Sequence, residues 1–308
     1  MKPVDLKFDF MGKRRLAAGL SVLFVVLSLI DIFVEGLDLG LDFTGGTLVE
    51  VEFAEPTDPE SVRQLLERAG FENGLVQNFG TERDLLIRMP PQASTEQARM
   101  GDQILSTLRD EYPDVEMRQS NFVGPAVGEE LTEDAGLALI AALAVVMVYI
   151  LFRFTKQFAV GAVAALAHDV IVVLGFFALF DWTFDLSVLA AVLAVIGYSL
   201  NDTIVVSDRI RENFRTVRKG TSLEIINRSL NQTLGRTLVT SFTTLLVLLA
   251  LLFAGGEMIR GFALALTIGI VVGTYSSIYV AASVLVAMNI SREDLIVPEK
   301  EGVDSESP

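Results

Sequence analysis

The segment LSVLAAVLAVIGYSLNDTIVVSDRI, residues 186–210, is apolar except where Asn201 and Asp202 interrupt it and where Asp208 and Arg209 precede its end. A helix of roughly 20 apolar residues spans a hydrocarbon core of about 30 Å, so the segment predicts a transmembrane helix. An ionisable side chain within such a helix costs on the order of 2.5–3.5 kcal/mol and normally faces the protein interior or water. The sequence therefore predicts a membrane helix in which Asp202 needs a polar partner.

Five further apolar runs accompany this one, so that the chain has six in all, at residues 16–34, 135–152, 158–180, 184–206, 237–254 and 261–288. Basic residues precede the first run, as in a signal peptide, but no small-x-small cleavage site follows it. We therefore expect an uncleaved signal anchor over 16–34 and five more transmembrane helices within 134–290.

The distribution of lysine and arginine predicts the orientation. Cytoplasmic loops are enriched in these residues. Five of them lie in 1–15, two in 153–156 and seven in 207–236, whereas 181–185 has none and 255–260 has only Arg260. This pattern predicts a cytoplasmic N-terminus (1–15), a cytoplasmic loop with an amphipathic surface helix (207–236) and a cytoplasmic acidic tail (291–308).

The segment 35–133 would then lie outside. It holds 21 acidic residues against seven arginines and no lysine, a net charge of −14 out of the −15 of the whole chain. Strand patterns at 47–53, 75–79, 84–89 and 115–124 alternate with helix patterns at 58–70 and 94–112, and this βαββαβ order is ferredoxin-like. The fold class is thus a six-helix polytopic α-helical membrane protein with an inserted extracytoplasmic α+β domain, which is either a passive folded loop or a docking surface.

Composition excludes several classes of function. The chain has no cysteine and a single histidine, His168, so thiol chemistry is excluded and a histidine-based metal site is disfavoured. We expect no cofactor and no metal, and the acidic balance argues against nucleic acid as a partner. The stretch DFTGG (42–46), with Asp42, Gly45 and Gly46, predicts a tight reversal at the membrane surface. A phosphate loop is disfavoured there, because no strand precedes it and no Lys-Ser/Thr follows.

The polar residues within the spans are the candidate functional residues. Helical spacing puts Ser199, Asp202 and Val206 on one face, with Tyr198 beside them. Burial favours the protonated form of a carboxyl group, which suits a proton carrier. The alternative is that Asp202 caps or pairs at the cytoplasmic boundary, since Asp208 and Arg209 follow within two turns.

Two other spans carry polar groups. In the fifth, the polar stripe Thr237, Thr240, Ser241 and Thr244 follows Arg236 and either lines a hydrated path or bonds a neighbouring helix; the position of Arg236 alone favours an interface anchor. In the third, His168 and Asp169 lie mid-span. Adjacent helix positions point about 100° apart, so the two do not obviously pair, and a proton relay and an interhelical hydrogen bond are equally compatible with the pattern.

The motifs DFTGGT (42–47), GYSLNDTIVVSDRIREN (197–213) and GRTLVTSFTTLL (235–246), together with AHDV (167–170), resemble the SecF family. Its members are the smaller subunits of SecD–SecF protein-export complexes and belong with the resistance-nodulation-division transporters. The resemblance covers nearly the whole chain. It implies that the chain is half of a pseudo-symmetric bundle in the bacterial cytoplasmic membrane and needs a SecD partner.

The resemblance further implies a non-enzymatic role in which the proton motive force drives late steps of export. The partners would be SecD, the SecYEG translocon, unfolded exported polypeptides and the lipid bilayer. In the family, the residues matching Asp202 and Arg236 are implicated in proton conduction, and Arg236 close to ionised Asp202 would stabilise the anion. Asn201, His168, Asp169 and Thr240 complete the candidate pathway.

Three rival functions stay open at this point. An intramembrane aspartyl protease would need Asp169 and Asp202 to face each other. A scaffold that only holds the translocon together would need neither of them. A small-solute exporter half of the same superfamily is disfavoured by the small outer domain. The coupling ion, H⁺ or Na⁺, is not determined by the sequence.

Overall fold

The computed structural model describes residues 8–91 and 99–295. Within them it has nine α-helices and four strands. In chain order they are α1 (Arg14–Val34), α2 (Leu41–Thr44), β1 (Gly46–Glu52), α3 (Pro59–Arg68), β2 (Leu75–Phe79), β3 (Thr81–Met89), α4 (Met100–Glu111), β4 (Glu116–Val123), α5 (Pro125–Arg153), α6 (Lys156–Leu179), α7 (Leu186–Thr216), α8 (Ser222–Ala254) and α9 (Arg260–Ala287).

Six helices of the described chain are long and apolar enough to cross a membrane: α1, α5, α6, α7, α8 and α9. The first and last of these spans each include a short 3₁₀ turn before the α-helix, so that they run over Met11–Val34 and Glu257–Ala287. These are the six predicted spans. Many apolar side chains on α1, α5 and α8 point outward, among them Phe33, Phe152 and Phe253. An exposed apolar surface of this extent belongs against lipid or another membrane helix.

The bundle is organised around α9, which packs against α1, α6, α7 and α8. One apolar cluster includes Phe158, Ile210 and Phe214. The other includes Phe177 and Val188. On α7 and α9 a layer of buried polar side chains lies between the two clusters.

The inserted domain is a four-stranded antiparallel sheet in the order β2-β3-β1-β4. With α3 between β1 and β2 and α4 between β3 and β4, this is the ferredoxin-like arrangement that the sequence predicts. Both helices pack on one face, where Val49, Ile87 and Ile104 are fully buried. Asp58 caps α3, since its side chain accepts a hydrogen bond from Ser61 N at 3.1 Å.

Several element boundaries differ from the predicted ones. Strand β3 begins at Thr81 rather than 84, because it continues into the hairpin turn at Gly80. Part of the helix predicted over 94–112 lies outside the described residues, and the described part is α4. The segment 207–236 does not form a separate surface helix. α7 extends to Thr216, and a Thr221–Glu224 capping box starts α8, which runs on without a break.

The sheet domain is fixed to the bundle by the segment between α1 and β1. Asp38 accepts hydrogen bonds from Thr183, in the α6–α7 connection, at 2.8 Å and from Arg88, on β3, at 2.9 Å. The Gly40 and Phe184 backbones are bonded at 2.8 Å. A single short segment thus contacts both the sheet and the outer end of the bundle.

The GG stretch forms the reversal predicted for it. Gly45 and Gly46 have φ of +67° and +117°, values that strain other residues, and a Cβ on Gly46 would lie 2.2 Å from the Met89 carbonyl oxygen. Asp42 has a role that the sequence did not indicate: its Oδ2 accepts from the Leu186 backbone N–H at 3.1 Å, at the first residue of α7. A carboxylate at a helix N-terminus is favourable.

Candidate functional site: a buried polar layer

Asp202 lies inside the bundle on α7 and is 7% exposed. Thr237 Oγ1 of α8 donates to its Oδ1 at 2.7 Å, and Ser277 Oγ of α9 donates to its Oδ2 at 3.0 Å. Ser199 and Val206 are buried on the same face, as the helical spacing predicts. The carboxyl group therefore joins three helices through neutral donors.

The boundary alternative for Asp202 is not observed. Asp208 pairs with Arg211 at 2.6 Å and with Arg153 at 3.5 Å, and Arg209 pairs with Glu212 at 2.9 Å. These ion pairs lie further along α7, at its polar end. Asp202 takes part in none of them.

A second buried carboxyl group, Asp169 on α6, is 1% exposed. Its Oδ2 accepts from Ser199 Oγ of α7 at 2.6 Å and from Ser276 Oγ of α9 at 2.8 Å. Its Oδ1 is hydrogen-bonded at 3.0 Å to His168 Nδ1. The expectation that the adjacent His168 and Asp169 do not pair is wrong, because the flexible χ angles of both side chains close the gap that the 100° helical offset opens.

The two carboxyl groups lie on different helices, α6 and α7, but both accept a hydrogen bond from α9. Consecutive residues of α9, Ser276 and Ser277, each bond to one of them. No hydrogen bond joins Asp169 to Asp202 within the described chain, and each oxygen of both groups already has a partner on another residue. An aspartyl-protease dyad, in which two carboxyl groups face each other and share a proton, is not formed.

One turn of α9, residues 274–277 (TYSS), carries four hydroxyl groups, and each of them forms a hydrogen bond to another helix. Thr274 bonds to Ser241 of α8 at 2.7 Å. The Tyr275 hydroxyl donates to the Ala17 carbonyl of α1 at 2.8 Å and lies 3.0 Å from Ser21 Oγ. Successive helix residues point about 100° apart, so four hydroxyl groups in a row reach four surrounding helices. None of these four residues is among the predicted candidates, although four hydroxyl residues in a row within an apolar span are a signal that the sequence contains.

The remaining candidates lie outside the layer. Asn201, Arg236 and Thr240 are exposed. Thr240 Oγ1 donates to the Arg236 and Thr237 carbonyls of its own helix. Arg236 forms no ion pair with Asp202 or any other described residue, so the anticipated Arg236–Asp202 contact is absent from this conformation. The predicted polar stripe of the fifth span therefore divides, with Thr237 and Ser241 inside and Arg236 and Thr240 outside.

Two atoms of the layer have no hydrogen-bond partner in the described chain: His168 Nε2 and Thr203 Oγ1 are both buried. Groups of three or more metal-ligating side chains do not occur among residues 8–91 and 99–295. The layer thus consists of carboxyl groups, hydroxyl groups and one imidazole, which are groups that bind and pass protons.

The sheet domain carries a separate feature, an open cleft of about 350 Å³ beside Phe53 and Tyr112. Glu55, Asp58 and Glu111 line it. Burial, and then the nearby negative charges of Glu111 and Asp58, raise the pKa of Tyr112 above its ordinary value of 10. The cleft therefore presents negative charge next to an aromatic pair.

Fold and site together define a polytopic α-helical membrane protein with a polar layer suited to transport. Comparison with known families gives two matches: residues 103–291 match the model described as protein export membrane protein SecD/SecF, C-terminal, and residues 32–57 match the SecD/SecF GG motif. The chain is 48% identical to protein translocase subunit SecF of Vibrio alginolyticus, over 96% of this chain and 95% of that one. It is 47% identical to SecF of Pseudomonas aeruginosa, over 96% of each. The chain belongs to the SecF family of protein translocase subunits.

Solved structures agree with this assignment. A crystal structure of SecDF from Thermus thermophilus, titled a translocon-associated membrane protein, matches with a TM-score of 0.84 and 41% identity. SecDF in a super-membrane-facing form matches with a TM-score of 0.71 at the same identity. In both cases 94% of this chain is covered, and it spans 40% of the length of the SecDF chain.

Proposed function

We propose that this chain works with a SecD partner to couple the proton motive force to late steps of protein export through SecYEG, with Asp202 as the proton carrier. The observation that carries the proposal is the environment of Asp202. Within the part of the chain that the structure describes, this buried carboxyl group is held by two hydroxyl groups and by no cation. Such a group can gain and lose a proton at modest cost, because no strong ion pair fixes it in the charged form.

The hydrogen bonding of Ser277 also supports reversible protonation. Its hydroxyl group donates to Asp202 and lies equally close, 3.0 Å, to the Thr274 carbonyl one turn back. When Asp202 is protonated, Ser277 can donate to that carbonyl and accept the carboxyl proton instead. Neither state leaves a buried polar atom without a partner.

The exposed candidates Asn201, Arg236 and Thr240 fit a site completed by a second half-bundle. Asn201 and Arg236 are sequence neighbours of Asp202 and Thr237, whose contact joins α7 to α8. A SecD half packed on this surface would bury the arginine, and a shift of α8 would bring it towards the carboxylate. Arg236 would then stabilise ionised Asp202 and release it on protonation.

The proposed topology puts both termini in the cytoplasm and the sheet domain on the opposite side of the inner membrane. The lysine and arginine distribution supports it. One charge crossing the membrane releases about 2.3 kcal/mol per 100 mV, which changes a conformational equilibrium roughly 50-fold, since 1.4 kcal/mol is about tenfold. The sheet domain, fixed to the bundle through Asp38, would move with it and act on unfolded chains that emerge from SecYEG.

The test compares export in inverted inner-membrane vesicles with and without an ionophore that collapses the proton motive force. The quantity measured is the ionophore-sensitive increment in export over vesicles that lack this chain. Asp202→Asn should abolish the increment while the complex still assembles. The matched control is Asp208→Asn, the same change six residues along α7 in a surface ion pair, and it should keep the increment. A non-transducing scaffold predicts instead that both variants export like the parent chain.

A further inference from the structure

We infer that α9 couples the protonation states of Asp169 and Asp202, and that Ser276 and Ser277 are the positioning residues that do it. The inference rests on the proposed function in assigning reversible protonation to Asp202. It extends that function by adding a second titrating carboxyl group and naming the element that connects the two.

The geometry carries the inference. Ser276 Oγ donates to Asp169 at 2.8 Å and Ser277 Oγ donates to Asp202 at 3.0 Å, and the two serines are adjacent in a helix that is buried on most sides. The backbones of consecutive residues in one helical turn move together. One position of α9 therefore satisfies both carboxylates, and a displacement that breaks one bond weakens the other.

Each serine has a second acceptor within its own helix. Ser276 Oγ lies 3.2 Å from the Gly273 carbonyl, and Ser277 Oγ lies 3.0 Å from the Thr274 carbonyl. A serine can leave an ionised carboxylate without becoming an unpaired buried donor. Release of α9 from either aspartate is therefore accessible, and it costs the charge-assisted part of one hydrogen bond.

We call the pair of hydrogen bonds from Ser276 and Ser277 to the two carboxylates the clamp. The clamp predicts a coupling between the two protonation states that is opposite in sign to the coupling from direct electrostatic repulsion. When one carboxylate is protonated and its serine is released, the other serine must restrain α9 alone, so the second carboxylate loses stabilisation and also takes up a proton more readily. Direct repulsion between two carboxylates acts in the opposite sense, because protonation of one removes a negative charge and makes the other easier to ionise. If protonation of one carboxylate raises the proton affinity of the other, the clamp dominates; if it lowers that affinity, direct repulsion dominates.

The other titratable and charged groups of α9 and of the helices packed on it are the same in every variant compared below. They include Lys156 and His168 on α6, Tyr198, Asp208, Arg209, Arg211, Glu212 and Arg215 on α7, Glu224, Arg228 and Arg236 on α8 and, near the ends of α1, Arg14, Arg15 and Asp31, while α9 itself carries Arg260, Tyr275 and Tyr279.

The test uses dicyclohexylcarbodiimide, which modifies protonated carboxyl groups in apolar surroundings. The full chain is expressed with a SecD partner in membranes and labelled at a series of pH values, and mass spectrometry of the peptides gives a labelling midpoint for each aspartate. Ser276→Ala should raise the midpoint of the remote Asp202 by about half a pH unit, a roughly threefold change in proton affinity. Ser277→Ala should raise the midpoint of Asp169 in the same direction, because each protonation affects the other reciprocally.

Each matched control removes a hydrogen-bond donor to one of the two carboxylates from a helix other than α9 and changes no residue of α9. Ser199→Ala deletes the α7 donor to the same Asp169 oxygen, and it keeps the Cβ that packs at Gly273. Thr237→Val deletes the α8 donor to Asp202. Under the clamp these controls raise the remote midpoint less than the serine variants do, because they keep both α9 donors and act only by making the local carboxylate easier to protonate.

Three results overturn the inference: remote midpoints that do not move in the serine variants, controls that raise them equally, or an Asp202 that is never labelled. If one serine variant fails to accumulate, the reciprocal variant decides. Loss of the export increment in Asp202→Asn without any remote shift would leave the proposed function standing and remove the clamp. If the remote midpoints shift but the Asp202→Asn variant exports normally, the clamp would stand and the proposed function would be removed.

Discussion

Among the described residues Asp202 has no positively charged partner inside the bundle, although the family resemblance implies a contact with Arg236. The interrupted apolar run was enough to predict that this carboxyl group is buried, and helical spacing predicted which neighbours share its face. The periodicity of a helix predicts the direction in which a side chain points, but it does not predict which side chains of the neighbouring helices lie opposite. For that reason the sequence did not reveal Ser277 as a partner, the His168–Asp169 hydrogen bond, or the outward position of Arg236.

At this scale the account predicts that Arg236→Lys is not conservative. Arginine offers a planar pair of donors that suits a carboxylate, whereas lysine offers a point charge. If Arg236 engages Asp202 during the cycle, the ionophore-sensitive export increment should fall about tenfold, which corresponds to losing a hydrogen bond to a charged group of roughly 1.5 kcal/mol. Arg228→Lys, at another exposed position of α8, is the control. Unchanged export in Arg236→Lys would show that only the charge matters.

Among the elements, the sequence predicted the six spans and the ferredoxin-like order most securely, because long apolar runs and strand alternation are local patterns. It did not predict that α8 continues from its amphipathic start into the span. The buried residues Ile226 and Leu230 pack there against the extension of α7, near Phe214. This tertiary contact turns the end of the predicted surface segment, residues 222–236, into nearly the first half of α8.

The junction between α2 and α5 yields an element-scale prediction. A Cβ on Gly128 would lie 2.7 Å from the Phe43 carbonyl oxygen and 2.9 Å from Gly45 N, so Gly128→Ala should separate α5 from the GG turn. Overpacking of this kind costs about 1–3 kcal/mol. Gly136→Ala, on the same helix with open space around it, should instead stabilise by roughly 0.5–1 kcal/mol. Thermal unfolding of the purified protein measures both, and equal midpoints for the two variants would contradict the packing described.

The whole molecule matches part of a longer solved protein. Its polar layer is built around a central helix, its candidate arginine points outward, and it spans 40% of the solved SecDF chain. Sequence patterns within one chain predict its spans and its charged loops, but they do not reveal residues that the proposed SecD partner would contribute to the site. The role of Arg236 therefore came from family resemblance rather than from its position.

The central claim is that protons cross through Asp202. The direct measurement is proton flux into proteoliposomes that contain the full chain with its SecD partner and a trapped pH-sensitive dye, after a pH gradient is imposed. The account predicts that Asp202→Asn reduces the flux to that of protein-free vesicles, while Asp208→Asn retains it. Parent-level flux through the Asp202→Asn variant would contradict the account.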